Sequence, residues 1–501
     1  MPKLTVPDKA KWLVMVYLAG DNNLSEECVF DLTEMKRAEL HNDVVVIAAL
    51  DSGIHDGTVI VVQPGKQQGQ QLANQPGKEQ GGALDRELLA LQKAQRKSGF
   101  QSQYAHNGVG VRASQSHRIL EFVKKCRKIR EASHYMLVLS GHGSGSIGDF
   151  LQEGDTESLN IPALGQLIAD VSDGLPGDKL DILGMDSCLM SMGEVAFAVH
   201  QNARIMIGAE GFEPLAGWPY KSVLEEVDRI AANNNDLKQL ARNIVGRYIS
   251  YYTDYQAAGV SVDQAACDLS QSGTLSNAVK TLSDTLLIDL KPGNDGEVRK
   301  ALVLAHWEAQ PYKTEKYTDL YDFCELLMES CQKNEVRKAC QEVMNAIRGF
   351  VLKSCYTGPT VQYSHGVSIY FPWAEIPDEL NAYKKLGFAE KSHWGRFLQA
   401  YLRATKREAR PGVGEKRNFD RQLAFFSPLP GITPGGIIFS GHRNGDVSRN
   451  GDVSRNGDVS RNLGNVIASM RNPPTDFFAC ARDVELPTYR KTGKQSTVRK
   501  S

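Results

Sequence analysis

Nothing in this chain stays apolar long enough to cross a bilayer; no stretch reaches the roughly 18 apolar residues that a spanning helix needs. An excess of either charge is missing too. Lys and Arg number 58 and Asp and Glu 59, a formal net charge of -1, so the balance gives no sign of a nucleic-acid or membrane surface. The first residues, Met1-Pro-Lys-Leu-Thr-Val-Pro-Asp-Lys, lack the apolar core of an export signal, and a cytoplasmic location is the expectation. Cysteine is sparse. Nine are scattered singly over 501 residues with no CxxC pair, which argues against a disulfide framework or a zinc site and fits a reducing compartment. One absence is local: from Gly143 to Asp178 there is no Lys or Arg at all.

What is present centres on two short apolar runs that each end in a reactive side chain. They are Tyr135-Met-Leu-Val-Leu-Ser-Gly-His142 and Leu180-Asp-Ile-Leu-Gly-Met-Asp-Ser-Cys188. Runs of this length, bounded by turn residues and separated by a helix-length segment, read as buried parallel strands. Ligands bind at the carboxyl ends of such strands, so a His closing one and a Cys closing the next face a common site. The chemistry needs both: a thiolate attacks, and an imidazole forms it and then protonates the leaving amine. Helical spacing after Cys188 would place the thiol at a helix N-terminus, where the dipole favours thiolate. Gly143 permits a backbone amide to approach a developing oxyanion, a role the amide of Cys188 can share. The plain alternative is that Cys188 is a small buried hydrophobe and His142 a satisfied loop residue.

In chain order, Trp12 to Ala19 reads as a strand, followed by the turn Gly20-Asp-Asn-Asn-Leu24, which can cap a helix from Ser25 to Leu40. Val44 to Leu50 completes a βαβ unit. From Gln63 to Gly110 the composition shifts to Gln, Gly and Lys, an exposed polar insertion with a short basic helix over Leu84 to Lys97. A helix over Ser116 to Arg130 leads into the His142 strand, and Arg204 to Glu210 forms a further one. Residues 1–220 thus read as an α/β sheet flanked by helices. Residues 221–405 read as a smaller, mainly helical domain contributing one strand, Gly366 to Pro372. Residues 406–501 read as an extension, with three tandem Arg-Asn-Gly-Asp-Val-Ser copies over 443–460 as a spacer.

Five stretches in order carry a family resemblance: Val16-Tyr-Leu-Ala-Gly-Asp-Asn-Asn-Leu24, Ser140-Gly-His-Gly-Ser-Gly145, Asp186-Ser-Cys-Leu-Met190, Gly217-Trp-Pro-Tyr220 and Gly366-Val-Ser-Ile-Tyr-Phe-Pro372. Together they resemble the clostripain family of cysteine peptidases, over roughly Trp12 to Leu402. The resemblance implies a caspase-like fold, cleavage of protein or peptide substrates after Arg or Lys and, in several members, activation by calcium and by self-cleavage. It needs no cofactor for the chemistry. Asp186, two residues before Cys188, can point into the pocket for the P1 side chain and pair with its cation. Glu210 and Glu213 can add to that pocket, although Glu213 reads first as a solvated loop carboxylate. Asp21, Asp51, Asp149, Glu153 and Asp155 are loop carboxylates near the expected edge, without EF-hand spacing. Self-cleavage at a basic residue between Gly143 and Asp178 has no site, which leaves 63–110 and the tail. Two further readings stand beside the peptidase: one gated by a partner or ligand through 63–110 or 406–501, and an inactive peptidase-like scaffold.

Overall fold

The computed structural model describes residues 9–51, 58–63, 114–151, 158–233, 236–291, 296–313, 315–374 and 376–405. The polar insertion with its basic helix, the hexapeptide copies, and Glu153 and Asp155 lie outside the described residues. In chain order the strands are β1 Ala10–Ala19, β2 Val44–Asp51, β3 Thr58–Gln63, β4 Ala132–Ser140, β5 Leu180–Asp186, β6 Ala203–Gly208, β7 Val262–Asp268, β8 Pro311–Tyr312, β9 Tyr317–Asp319, β10 Val351–Thr357 and β11 Ser368–Tyr370. Eight make one sheet in the order β10-β7-β6-β5-β4-β1-β2-β3. Its centre, from β6 to β2, is parallel, and β7, β10 and β3 add antiparallel edges. β8, β9 and β11 form a small second sheet.

The central strands are near-continuous Val, Leu and Ile because both faces are covered by helices. Every residue of β2 and β5 is buried, as is every residue of β1 except Lys11. The register then determines which loops meet. Leu18 pairs with Ser140, and Ser140 with Asp186, so β1, β4 and β5 end level with one another. The turns that follow carry Asn23, His142 and Cys188.

Three expectations are corrected here. The segment after residue 220 contributes more than one strand: β7 and β10 join the main sheet, and β11, the expected Gly366 to Pro372 strand, sits in the second sheet. The two expected domains therefore share one sheet. β3 was not foreseen. Finally, the helix after Cys188 begins only at Gly193 and runs to Val199, because the chain first bends through Leu189, which sits in the left-handed region at φ 64°. Among the described residues no helix is long and apolar enough to cross a membrane.

Candidate active site

The turn after β1 does not cap its helix with a side chain, as the sequence suggested it could. Asn22 stabilises the turn itself, donating to the Ala19 carbonyl (3.1 Å) and accepting from the Leu24 amide (2.8 Å). That leaves Asn23 free to reach across, and its Oδ1 lies 2.6 Å from Nε2 of His142. An amide oxygen only accepts, so Nε2 carries the proton and Nδ1 keeps the lone pair. Burial pulls the imidazole pKa below its ordinary value, so the ring is neutral in this environment. Asn23 is the orienting group, and sequence reading missed it. The signal available was the Asp-Asn-Asn turn at the carboxyl end of a buried strand.

The His142 and Cys188 loops touch through Gly143. A Cβ there would stand 2.2 Å from the Cys188 carbonyl oxygen, so only glycine permits the approach. Cys188 is half-buried. Its turn is tied to the loop after β6 by Leu189 N to Gly211 O and Ser191 N to Ala209 O, both 2.8 Å, and its Sγ accepts from the Glu213 amide at 3.3 Å. The helix that follows in sequence starts only at Gly193, so its N-terminus does not begin at Cys188. Burial, with the Glu213 charge second, pushes the thiol up to about 12. The helix-dipole expectation is therefore not met.

Both reactive groups line one cavity, and its other charged walls are all acidic. Among the described residues that line it, four are carboxylates, Glu27, Asp31, Asp186 and Glu213, and none is Lys or Arg. Asp186 is 4 % exposed and its Oδ2 accepts from the Tyr220 hydroxyl at 2.7 Å. Gly217, with φ 58°, packs where a Cβ would lie 3.0 Å from Asp186 Oδ1. Burial raises the Asp186 pKa, and it raises that of Glu213 further because the two carboxyls lie against each other. Glu213 is thus half-buried beside Asp186, with Gln264 donating to its Oε1 at 3.2 Å, rather than a solvated loop carboxylate. Glu27 and Asp31, on the helix Ser25–Arg37, were also missed.

Glu210, expected beside Asp186, is instead fully buried away from this cavity. Its Oε2 accepts from the Gly366 amide at 2.6 Å, while its own amide and that of Gly211 donate to Asp263. The strand ends at Gly208, and the chain turns the Glu210 side chain towards β11 while carrying Glu213 to the cavity. Among the loop carboxylates considered for calcium, Asp51 is engaged by Arg118 Nε and the Tyr17 hydroxyl, both at 2.7 Å. Among the described residues no three of His, Cys, Asp and Glu form a group that could hold a metal ion.

Cys188 and His142 thus stand on adjoining loops at the carboxyl edge of a mostly parallel sheet flanked by helices, and the family match makes the chain a cysteine peptidase. The chain belongs to the clostripain family, whose profile matches residues 16–401. Two solved structures share its fold. A secreted C11 cysteine protease from Bacteroides thetaiotaomicron, in complex with an irreversible peptide inhibitor, is similar at 16% identity and TM-score 0.52, covering 77% of this chain and 99% of its own. An inactive zymogen C11 protease from Parabacteroides distasonis is similar at 19% identity and TM-score 0.51, with coverage of 77% and 99%. No curated protein sequence matches the chain.

Proposed function

We propose that this peptidase is an endopeptidase cleaving after basic residues, Arg or Lys at P1, with Cys188 as nucleophile and His142 as general base and acid. The observation that supports this is the acidic cavity shared by the two groups: a P1 cation is the ligand that lets buried carboxylates ionise. With Nε2–H on Asn23 Oδ1, Nδ1 of His142 takes the proton from the Cys188 thiol as sulfur attacks the scissile carbonyl. The carbonyl oxygen becomes an oxyanion, for which the amides of Gly143 and Cys188 are the proposed donors. When the C–N bond breaks, Nδ1 returns the proton to the leaving amine, and water then hydrolyses the thioester by the same base. Asp186 is the proposed P1 determinant with Glu213 beside it, in the place first given to Glu210. Calcium as an activator is a proposal that rests on the family resemblance, and a regulatory partner at 63–110 or 406–501 is a separate proposal from the sequence alone.

The test is incubation of the purified chain with peptides carrying Arg, Lys, Asp or Leu at P1, with and without calcium. Arg and Lys peptides are expected to be cut, and Cys188→Ala or His142→Ala to reduce turnover by roughly 10³-fold or more with unchanged thermal unfolding. Substantial cleavage by purified Cys188→Ala would overturn the nucleophile assignment.

A further inference from the structure

We propose that Asp31, with Glu27 one helical turn before it, forms the far wall of the P1 pocket and selects an arginine over a lysine side chain, an inference that rests on the basic-P1 reading above. The helix Ser25–Arg37 carries three acids at spacing i, i+4 and i+7, Glu27, Asp31 and Glu34, which places them along one side. Like charges at that spacing weaken a helix, so each calls for a partner. Glu34 has one. Its carboxylate accepts from the amides of Tyr220 and Lys221, at the start of the helix Tyr220–Ala232, which no N-cap side chain of its own closes. Glu27 and Asp31 each keep an oxygen without one. Asp31 is 4 % exposed, yet its Oδ1 meets no hydrogen-bond donor among the described residues, and neither does Oε2 of Glu27. Both residues line the cavity that holds His142 and Cys188.

A buried acceptor without a donor is costly, and a cavity walled by several of them fits a ligand that brings donors. The acceptors here are spread over different elements. Asp31 and Glu27 sit on the first helix, Asp186 at the end of β5, and Glu213, whose Oε2 also lacks a donor among the described residues, in the loop after β6. An ammonium carries three donors on one nitrogen and satisfies one wall. A guanidinium presents five on a planar fork and can bond the Asp186 and Glu213 wall while its outer edge reaches Asp31.

The experiment measures kcat/KM for two peptides that differ only in Arg or Lys at P1, using wild type, Asp31→Asn and Glu27→Gln. Wild type is expected to favour Arg by about tenfold or more. Asp31→Asn should bring the two substrates to within about threefold by raising KM for Arg while leaving the Lys peptide nearly unchanged, and Glu27→Gln should move the ratio part of the way. Wild-type enzyme that cuts both peptides equally well overturns the inference and leaves the basic-P1 reading standing, whereas cleavage of neither overturns the reading itself. Thermal unfolding reports whether Asp31→Asn folds; if it does not, an Arg to Lys ratio unchanged in Glu27→Gln overturns the inference.

Discussion

Two groups of buried carboxylates flank the loop after β6, and they are built on opposite plans. On the side away from the thiol, each acid is answered by backbone amides: Asp263 accepts from Glu210 and Gly211 (2.7 and 2.9 Å), Asp322 from Gln310 (2.8 Å), and Asp319 from Asp322 and His365 (2.7 and 2.6 Å). Glu210 takes the Gly366 amide on one oxygen and lies against Asp319 with its carboxyl, so the pair favours holding a proton. On the thiol side, Glu27, Asp31 and Glu213 each keep an oxygen with no donor among the described residues, and all three face a cavity. Identical chemistry thus serves as a brace in one place and, on the proposed reading, as a receptor in the other. What distinguishes them is the supply of amide donors: every acid of the brace takes at least one backbone amide, even Glu210, whose Oε1 has no donor among the described residues, and an acid engaged in this way has less left for a ligand.

The largest effect is expected from removing a brace. Asp319 is fully buried, caps the helix Leu320–Ser330 and holds both the amide and Nδ1 of His365. Asp319→Ala strands these donors and should lower unfolding stability by about 3 to 5 kcal/mol, read from urea midpoints. Asp186→Ala, on the receptor side, should act on turnover instead. It is expected to cost about 2 to 5 kcal/mol of transition-state stabilisation for an Arg peptide, with little effect on a Leu peptide. A stability loss in Asp186→Ala as large as that in Asp319→Ala would erase the distinction between the two groups.

The sequence makes the edge that carries His142 and Cys188 legible because each of β1, β4 and β5 is a continuous apolar run ending in a distinctive turn. β7, Val-Asp-Gln-Ala-Ala-Cys-Asp, is not legible, since its polar side chains are buried and bonded rather than solvated, which breaks the apolar signal. β10 hides for another reason. It continues from the helix Asn334–Phe350 at Val351 with no Gly or Pro between them, so helical periodicity runs straight into a strand. For the pocket, Asp186 could be placed by its distance from Cys188 along one strand. Asp31 and Glu27 come from a separate element, as does Asn23 against His142, and the level ends of β1 and β4 bring that element to the cavity.

The pH dependence should separate the two groups by sign. Burial raises Asp263 and Asp322 to about 7 from 3.8, so folding favours their protonated forms. Such stabilisation is complete below the unfolded pKa and is lost as pH rises through the folded one. Buried His306, lowered to about 3 from 6.5, pulls the other way only where an unfolded imidazole would be charged, so the informative window is roughly pH 6.5 to 8.5. Across it the urea midpoint should fall. Glu27 is likewise raised to about 7, and Asp31 and Glu213 are raised, but a bound cation favours their ionised forms. KM for an Arg peptide should therefore drop by up to about tenfold as pH rises through the same window, while KM for a Leu peptide stays level. Parallel trends in midpoint and Arg affinity would mean that one set of acids governs both.

The smallest effect is expected at Glu210, the residue whose sequence position suggested the P1 pocket. Its pKa is held well above the ordinary glutamate range by burial first and by the charges of Asp319 and Asp263 next, so the fold favours its uncharged form. Glu210→Gln keeps a carbonyl oxygen for the Gly366 amide and places an N–H where the acid's own proton faces Asp319, so the change is close to isosteric and isoelectronic with the resident form. The variant should unfold within about 0.5 kcal/mol of wild type and cut Arg and Lys peptides with unchanged kcat/KM. The matching change at Glu213 removes a carboxyl from the cavity wall and should weaken the Arg peptide by several-fold through KM. If Glu210→Gln altered the choice between Arg, Lys and Leu as much as Glu213→Gln does, the brace would be part of the receptor, and Glu210 would belong in the P1 pocket after all.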